Sequence, residues 1–101
     1  QTKLRPSVVL WVDPKGMDIS LCFISSKNLE NTTPDEFILT SSEPEFAQTG
    51  LKVASKVRAA KIVTLESSLL QRRLGCLGEG QMQRLNEALV FAFQLNSTTT
   101  Q

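Results

Sequence analysis

The strongest constraint on the fold is a pair of apolar, β-branched segments separated by a short turn. The first segment, Ser7–Val12, follows a proline, and the second covers residues 19–25. Residues 13–16 between them read Asp-Pro-Lys-Gly, in which proline restricts φ and glycine accepts a positive φ. This arrangement predicts an antiparallel hairpin whose first strand is buried on both faces. Trp11 and Phe23 lie inside the apolar runs, so we expect both in the core.

The rest of the chain predicts further short strands and one long helix. The expected strands cover residues 36–40, 55–58 and 61–65. Ala59 and Ala60 are too few residues for a crossover helix, so the last two strands should meet at a bend. A short helical turn is expected around residues 67–73. Residues 81–94 predict the clearest helix, because their apolar side chains recur at helical spacing, at Met82, Leu85, Ala88, Leu89, Ala92 and Phe93.

Short strands followed by a terminal helix predict a mainly β domain, a small and partly closed antiparallel barrel with the helix packed against it. A chain of 101 residues provides one core. We therefore expect a single domain over residues 1–95 and a polar tail over 96–101.

No apolar run is long enough to span a bilayer and no signal-peptide pattern is present, which predicts a cytoplasmic protein. Because the sequence opens in mid-motif without Met, we expect the natural chain to begin upstream with one more strand.

The residue types that the sequence lacks limit its chemistry. It contains no His and no Tyr, so catalytic groups that use histidine cannot form within it. Cys22 and Cys76 are flanked by apolar residues and are expected to be buried thiols; alone they cannot form a standard zinc site. A net charge of +1 gives no general attraction for nucleic acid. An enzyme built from this chain would use Arg, Lys, Ser, Thr or carboxylates, with neither metal nor cofactor.

The order of several short motifs resembles the PemK/MazF toxin family. Residues 3–10 (KLRPSVVL) are similar to the family signature K-x-R-P-x-V-V-L, and residues 23–26 (FISS) to its second strand end. Further similar segments follow in the family's order, at residues 49–58, 61–65, 74–77 and 81–89. One departure is Val63, which stands where many members have Arg. The resemblance covers nearly the whole chain and implies an SH3-like barrel, a homodimer, metal-independent cleavage of single-stranded RNA, and neutralisation by a cognate antitoxin protein.

The resemblance also assigns catalytic roles to Arg5 and Ser25. Arg5 precedes the first strand and Ser25 ends its antiparallel neighbour, so the hairpin should bring both to the same end. A guanidinium matches phosphate oxygens with two hydrogen bonds and stays protonated. We therefore expect Arg5 to stabilise charge on the phosphate rather than to act as a base, and Ser25 to hydrogen-bond the scissile phosphate. Taken alone, an arginine in this position is more often a surface residue or a salt-bridge partner, and a serine such as Ser25 more often ends a strand. The sequence indicates no general base.

Four further residues are candidates for RNA binding: Lys3, Ser26, Lys56 and Arg58. Lys56 and Arg58 share one strand face by the period of two and could follow an RNA backbone. A charged, solvated face is the simpler interpretation of the same pattern. Two other functions stay open at this point. The barrel could bind an antitoxin or peptide without catalysis, or bind RNA without cleaving it.

Overall fold

The computed structural model describes residues 5–95. One antiparallel sheet in the order β1-β2-β4-β3 is covered by a single helix, α1 (Glu79–Phe93). The strands are β1 (Ser7–Val12), β2 (Asp18–Ser25), β3 (Glu36–Leu39) and β4 (Ser55–Glu66). Short 3-10 turns cover Ala47–Thr49 and Ser67–Leu69. The sheet curls into a half-barrel, which confirms the predicted fold class.

The predicted hairpin is present, with β2 inside the sheet. The prediction that its first strand is buried on both faces is wrong, because β1 lies at the edge of the sheet and Val9 and Val12 are exposed. Its turn is closed by Asp13, whose N–H donates to Asp18 O at 2.9 Å and whose carbonyl accepts from Gly16 N at 2.7 Å. Gly16 has a φ of +73°, the conformation for which the turn needs glycine. The pairing shifts register between Val9 and Trp11, so β1 is bulged in its middle.

The prediction of two strands over residues 55–65 is wrong, because β4 is one strand of 12 residues. The bend expected at Ala59 and Ala60 is present as a bulge within it. Cys22 pairs with Ile62 while the next residue, Phe23, pairs with Arg58, which leaves residues 59–61 without partners on β2. Ala59 N instead donates to Asp35 O at 3.1 Å. An unpaired insertion bends a strand without ending it, so β4 pairs with both β2 and β3 before the bulge and with β2 after it.

The core lies between the sheet and α1. Its most buried members come from β2, β3 and β4, with Phe46 from a loop and two helical residues: Cys22, Ile24, Leu39, Phe46, Val57, Ala59, Leu85 and Ala88. Burial raises the pKa of the Cys22 thiol to about 11. The thiol is therefore protonated at neutral pH, as the prediction of a buried cysteine implies.

Three residues expected to be buried are not. Trp11 is 49% exposed, because β1 is an edge strand and its contacts with the core come from Val8 and Leu10. Phe23 is half-buried on the face of β2 that points away from the core. Cys76 is exposed, since it lies in an irregular segment between the second 3-10 turn and α1. Apolar flanking residues alone do not distinguish an edge from a core.

Helix α1 begins two residues earlier than its apolar spacing predicts. The carboxylate of Glu45 accepts from Gly80 N at 3.3 Å and Gln81 N at 3.2 Å, so it satisfies free donors at the helix start. Arg84 links the helix to β3 and to the loop that follows it, because its guanidinium donates to Ile38 O and to Glu43 Oε1, each at 2.8 Å. Among residues 5–95, no helix has both the length and the apolar character required to cross a membrane.

The stripe predicted on α1 is confirmed in part. Leu85 and Ala88 are buried in the core and Leu89 packs against it. Met82 and Phe93 are largely exposed, so the face that meets the sheet is narrower than the apolar pattern suggests.

Two glycines with nearly equal φ provide a matched test of how the irregular segment packs. Gly50 has a φ of +75° and faces the backbone carbonyl of Leu74, where an added Cβ would overlap; Gly16 has a φ of +73° and open space around it. We expect Gly16→Ala to cost about 1 kcal/mol from backbone strain. Gly50→Ala should cost about 2 kcal/mol more, because Leu74 must also move.

Urea denaturation of both variants measures the difference. Equal losses in the free energy of unfolding for the two variants would show that Leu74 does not pack on Gly50.

Candidate active site

The start of β1 and the end of β2 bring two candidate residues together. Ile24 N donates to Pro6 O at 3.1 Å, so pairing continues beyond the last regular pair, Ser7 with Phe23. Proline has no N–H to return, and the ladder ends there. Arg5 precedes Pro6 and Ser25 follows Ile24, so both residues lie at this end of the hairpin. Arg5 is exposed and Ser25 is half-buried.

The hydroxyl of Ser25 is already oriented by the chain that follows it. Lys27 N donates to Ser25 Oγ at 3.1 Å. A serine hydroxyl has one proton to donate besides its acceptor lone pairs. Because a backbone N–H occupies the oxygen, the proton is available to a ligand beside Arg5. Ser26, the next residue, is exposed at the same end of the hairpin.

On the other side of β2, the same face carries a cluster of charges. Ser25 pairs with Lys56 and Phe23 with Arg58, and Arg58 pairs in turn with Glu36 on β3. Glu36 binds both cations: Oε1 lies 3.3 Å from Lys56 Nζ and Oε2 lies 3.1 Å from Arg58 Nε. The predicted common face of Lys56 and Arg58 is therefore present.

Sequence reasoning missed Glu36, the centre of this cluster. Burial alone would raise its pKa, but hydrogen bonds from Thr33 N–H, Arg58 and Lys56 together lower the pKa below its ordinary value of 4.5. A carboxylate held between two cations is a weak base, so Glu36 is not suited to remove a proton from a substrate. Glu36 lies far from Lys56 and Arg58 in the sequence, so no sequence pattern links it to them until the strand register is known.

Lys56 and Arg58 differ in what they can offer a ligand. The Lys56 side chain is 8% exposed, and its three N–H donors face three acceptors, Asn28 O at 3.1 Å, Asn31 O at 3.3 Å and Glu36. Lys56 therefore has no donor left for a phosphate, contrary to its predicted direct contact with RNA. The Arg58 side chain is 38% exposed and is held to Glu36 through Nε. Within residues 5–95, its two Nη atoms have no hydrogen-bond partner.

The remaining candidate, Lys3, lies outside the described residues. In the part of the chain that the structure covers, no group of three or more His, Cys, Asp or Glu side chains is arranged to hold a metal ion. The site at the end of the hairpin thus consists of a guanidinium, hydroxyls and a basic side chain beyond them. These are groups that bind phosphate oxygens.

Comparison with known proteins identifies the family of the chain. The family model described as "PemK-like, MazF-like toxin of type II toxin-antitoxin system" matches residues 1–93. The chain belongs to this toxin family. The resemblance found in the sequence motifs is therefore confirmed.

Solved structures of mycobacterial toxins share the fold of this PemK/MazF-like chain. The Mycobacterium tuberculosis toxin MazF-mt6 is 24% identical with a TM-score of 0.73, covering 89% of this chain and 86% of its own. A second Mtb toxin is 24% identical with a TM-score of 0.73, covering 88% and 92%. A mycobacterial endoribonuclease in complex with its cognate antitoxin is 21% identical with a TM-score of 0.69, covering 90% and 82%. A comparison with curated protein sequences found no significant match.

The charge on Glu36 should stabilise the folded toxin-like domain in a pH-dependent way. Glu36→Gln leaves buried Lys56 without its counter-ion, and we expect a loss of about 3 kcal/mol at pH 7. Because the folded pKa is lowered, this stabilisation is complete above the ordinary carboxyl pKa of 4.5 and is lost as pH falls through the folded pKa. The difference from wild type should therefore shrink below pH 4.5.

Urea denaturation midpoints across this pH range provide the measurement, and Glu30→Gln, which changes an exposed glutamate in the loop before β3, is the control. A difference that stays constant down to pH 3 would contradict the assigned role of Glu36.

Proposed function

We propose that this protein is the toxin of a toxin–antitoxin pair and acts as a metal-independent endoribonuclease on single-stranded RNA in the cytoplasm. Membership of the toxin family supports the class. The observation that supports the proposal for this chain is the hydrogen bond from Ile24 N to Pro6 O, which puts the neighbouring residues Arg5 and Ser25 at one end of the hairpin. The Ser25 oxygen there already accepts from Lys27 N, so its proton can be donated to a ligand.

The reaction that suits these groups is attack of a ribose 2′-oxygen on its own 3′-phosphate. The O2′–P bond forms, the P–O5′ bond breaks, and the departing O5′ takes up the proton that the 2′-hydroxyl loses, through solvent. Arg5 stabilises the charge on the pentacoordinate phosphate through its two parallel N–H donors. Ser25 donates to a non-bridging oxygen and holds the phosphate in line for attack. No side chain is assigned as the general base.

RNA on either side of the cut would be held by neighbouring groups. Arg58 contacts Glu36 through Nε, which leaves its Nη donors for a ligand, and it is proposed to bind a phosphate next to the scissile one. Ser26 is proposed to bind the backbone beside Ser25, and Lys3 a flanking phosphate upstream. Lys56 is not included as a direct contact, because its donors are occupied.

We also propose a cognate antitoxin and a homodimer. One structural neighbour is described as an endoribonuclease in complex with its cognate antitoxin, which supports a protein partner of this kind here. The exposed cationic groups Arg5 and Arg58 favour an acidic antitoxin segment over the site. Sedimentation of the purified chain at micromolar concentration tests the dimer.

The test of the enzymatic function is incubation of the chain, freed of any antitoxin, with long single-stranded RNA in EDTA. Sequencing of the new RNA ends should reveal discrete cuts. Arg5→Ala should slow cleavage by about 10²–10³-fold, because a donor aimed at developing charge is lost, and Ser25→Ala by a similar order. Arg72→Ala and Ser68→Ala, exposed residues outside the site, are the matched controls and should cleave normally.

Intact RNA from protein that is folded by circular dichroism would exclude the enzyme and leave the two alternatives. A barrel that binds RNA without cleavage would retain salt-sensitive RNA affinity. A barrel that binds an antitoxin would show no RNA affinity at all.

Arg58 should contribute one phosphate contact to RNA binding. In a Ser25→Ala background, which slows cleavage enough for binding to be measured, Arg58→Gln should lower the slope of log K against log salt by about 0.7 for a single strand. Arg72→Gln in the same background should leave the slope unchanged. Binding titrations at several salt concentrations measure both, and an unchanged slope for Arg58→Gln would remove Arg58 from the RNA path.

A further inference from the structure

Lys56 is unusual for a lysine, because side chains of this type are rarely buried. It is the direct partner of Ser25 across β2 and β4. Its ammonium donates to two backbone carbonyls of the loop that follows Ser25, Asn28 O at 3.1 Å and Asn31 O at 3.3 Å. The third contact is to Glu36 at 3.3 Å. The ammonium thus links the loop of residues 26–35 to the strand that faces Ser25.

The two carbonyls belong to a tight turn within that loop. Asn31 N donates to Asn28 O at 3.1 Å, and Asn28 has a φ of +55°, a conformation that residues other than glycine adopt at a cost. The turn begins one residue after Lys27, whose N–H holds the Ser25 hydroxyl. A contact that fixes Asn28 therefore restricts the position of the Lys27 N–H and, through it, the Ser25 hydroxyl.

The far end of the loop is fixed by the same ion pair. Thr33 N donates to Glu36 Oε1 at 3.2 Å, and Glu36 N donates to Thr33 O at 2.9 Å. Glu36 Oε1 is also the atom that contacts Lys56. One pair of charges thus contacts both ends of the loop that connects β2 and β3.

We propose that Lys56 is a positioning residue for RNA cleavage, whose ammonium holds the loop after β2 so that the Ser25 hydroxyl presents its proton to the scissile phosphate. The inference rests on the proposed function. Lys56 acts through the loop and does not touch RNA, which separates its role from that of Arg58.

Lys56→Met removes the ammonium and keeps most of the aliphatic stem. Assayed below its melting temperature, this variant should show kcat lowered by tenfold or more. Its RNA affinity in a Ser25→Ala background should change less than twofold, and the salt slope of binding should stay the same. Lys15→Met, an exposed lysine in the turn at the opposite end of the hairpin, is the control and should retain full kcat.

A double-mutant cycle distinguishes positioning of Ser25 from a general loss of stability. If Lys56 acts through Ser25, Lys56→Met should have almost no further effect on the residual cleavage by Ser25→Ala protein. A merely structural loss would lower cleavage by the same factor in both backgrounds.

Amide hydrogen exchange reports the loop without any RNA. Lys56→Met should accelerate exchange at the hydrogen-bonded loop amides, Lys27, Asn31 and Thr33, at least fivefold, while amides of α1 keep their wild-type rates. Lys15→Met should change none of them.

The outcomes of these experiments distinguish the proposed RNA cleavage from the proposed positioning role of Lys56. If wild-type protein leaves RNA intact, the proposed function fails and the catalytic role of Lys56 fails with it, whatever the exchange rates. Two outcomes would support the endoribonuclease and overturn the positioning role. In both, wild-type protein cleaves RNA, and Lys56→Met either retains kcat or lowers kcat by the same factor in the wild-type and Ser25→Ala backgrounds. Lowered kcat with unchanged RNA affinity, a non-additive cycle and faster loop exchange support the positioning role.

Discussion

A carboxylate shared by two cations holds together the part of the molecule on which the site depends. Removing Glu36 and Lys56 from water is costly, and attraction between the charges offsets this only if hydrogen bonds satisfy the remaining donors and acceptors. Here they do so for Lys56 through the carbonyls of Asn28 and Asn31. The cluster therefore works as a connector between strands and a loop rather than as a source of large net stability.

The position of the cluster follows from the bulge in β4. Before residues 59–61, β4 has β2 on one side and β3 on the other; beyond them it keeps β2. The three-strand region is where opposite charges on β3 and β4 can meet on the face away from the core. The same curl brings Leu85 and Ala88 of α1 onto the inner face. Core and site thus occupy opposite faces of one short stretch of sheet.

Sequence reasoning succeeded where the determinants are local. The hairpin follows from the Pro and Gly of its turn, and the hairpin alone puts Arg5 and Ser25 at the same end. It failed where the outcome depends on distant partners. Nothing near Trp11 reveals that β1 has no neighbour on one side, and two alanines do not reveal that a strand continues through them.

The misassignment of Lys56 has the same origin. The alternation of side chains along the strand correctly placed Lys56 on one face with Arg58. The carbonyls that accept hydrogen bonds from its ammonium lie more than 20 residues away in the sequence. They belong to a loop whose conformation no sequence pattern predicts. Family membership supplied the class of protein and its fold. At 24% identity or less, the solved neighbours support the backbone and not the role of any side chain.

The contrast between the two cysteines has a practical consequence. With a pKa of about 11, only about one Cys22 thiol in ten thousand is ionised at pH 7, and the side chain is buried. Cys76 is exposed in an irregular segment. Mild maleimide treatment would therefore attach a fluorophore to this chain at Cys76, outside the sheet. Association with RNA or a protein partner could then be followed optically without engineering a new thiol.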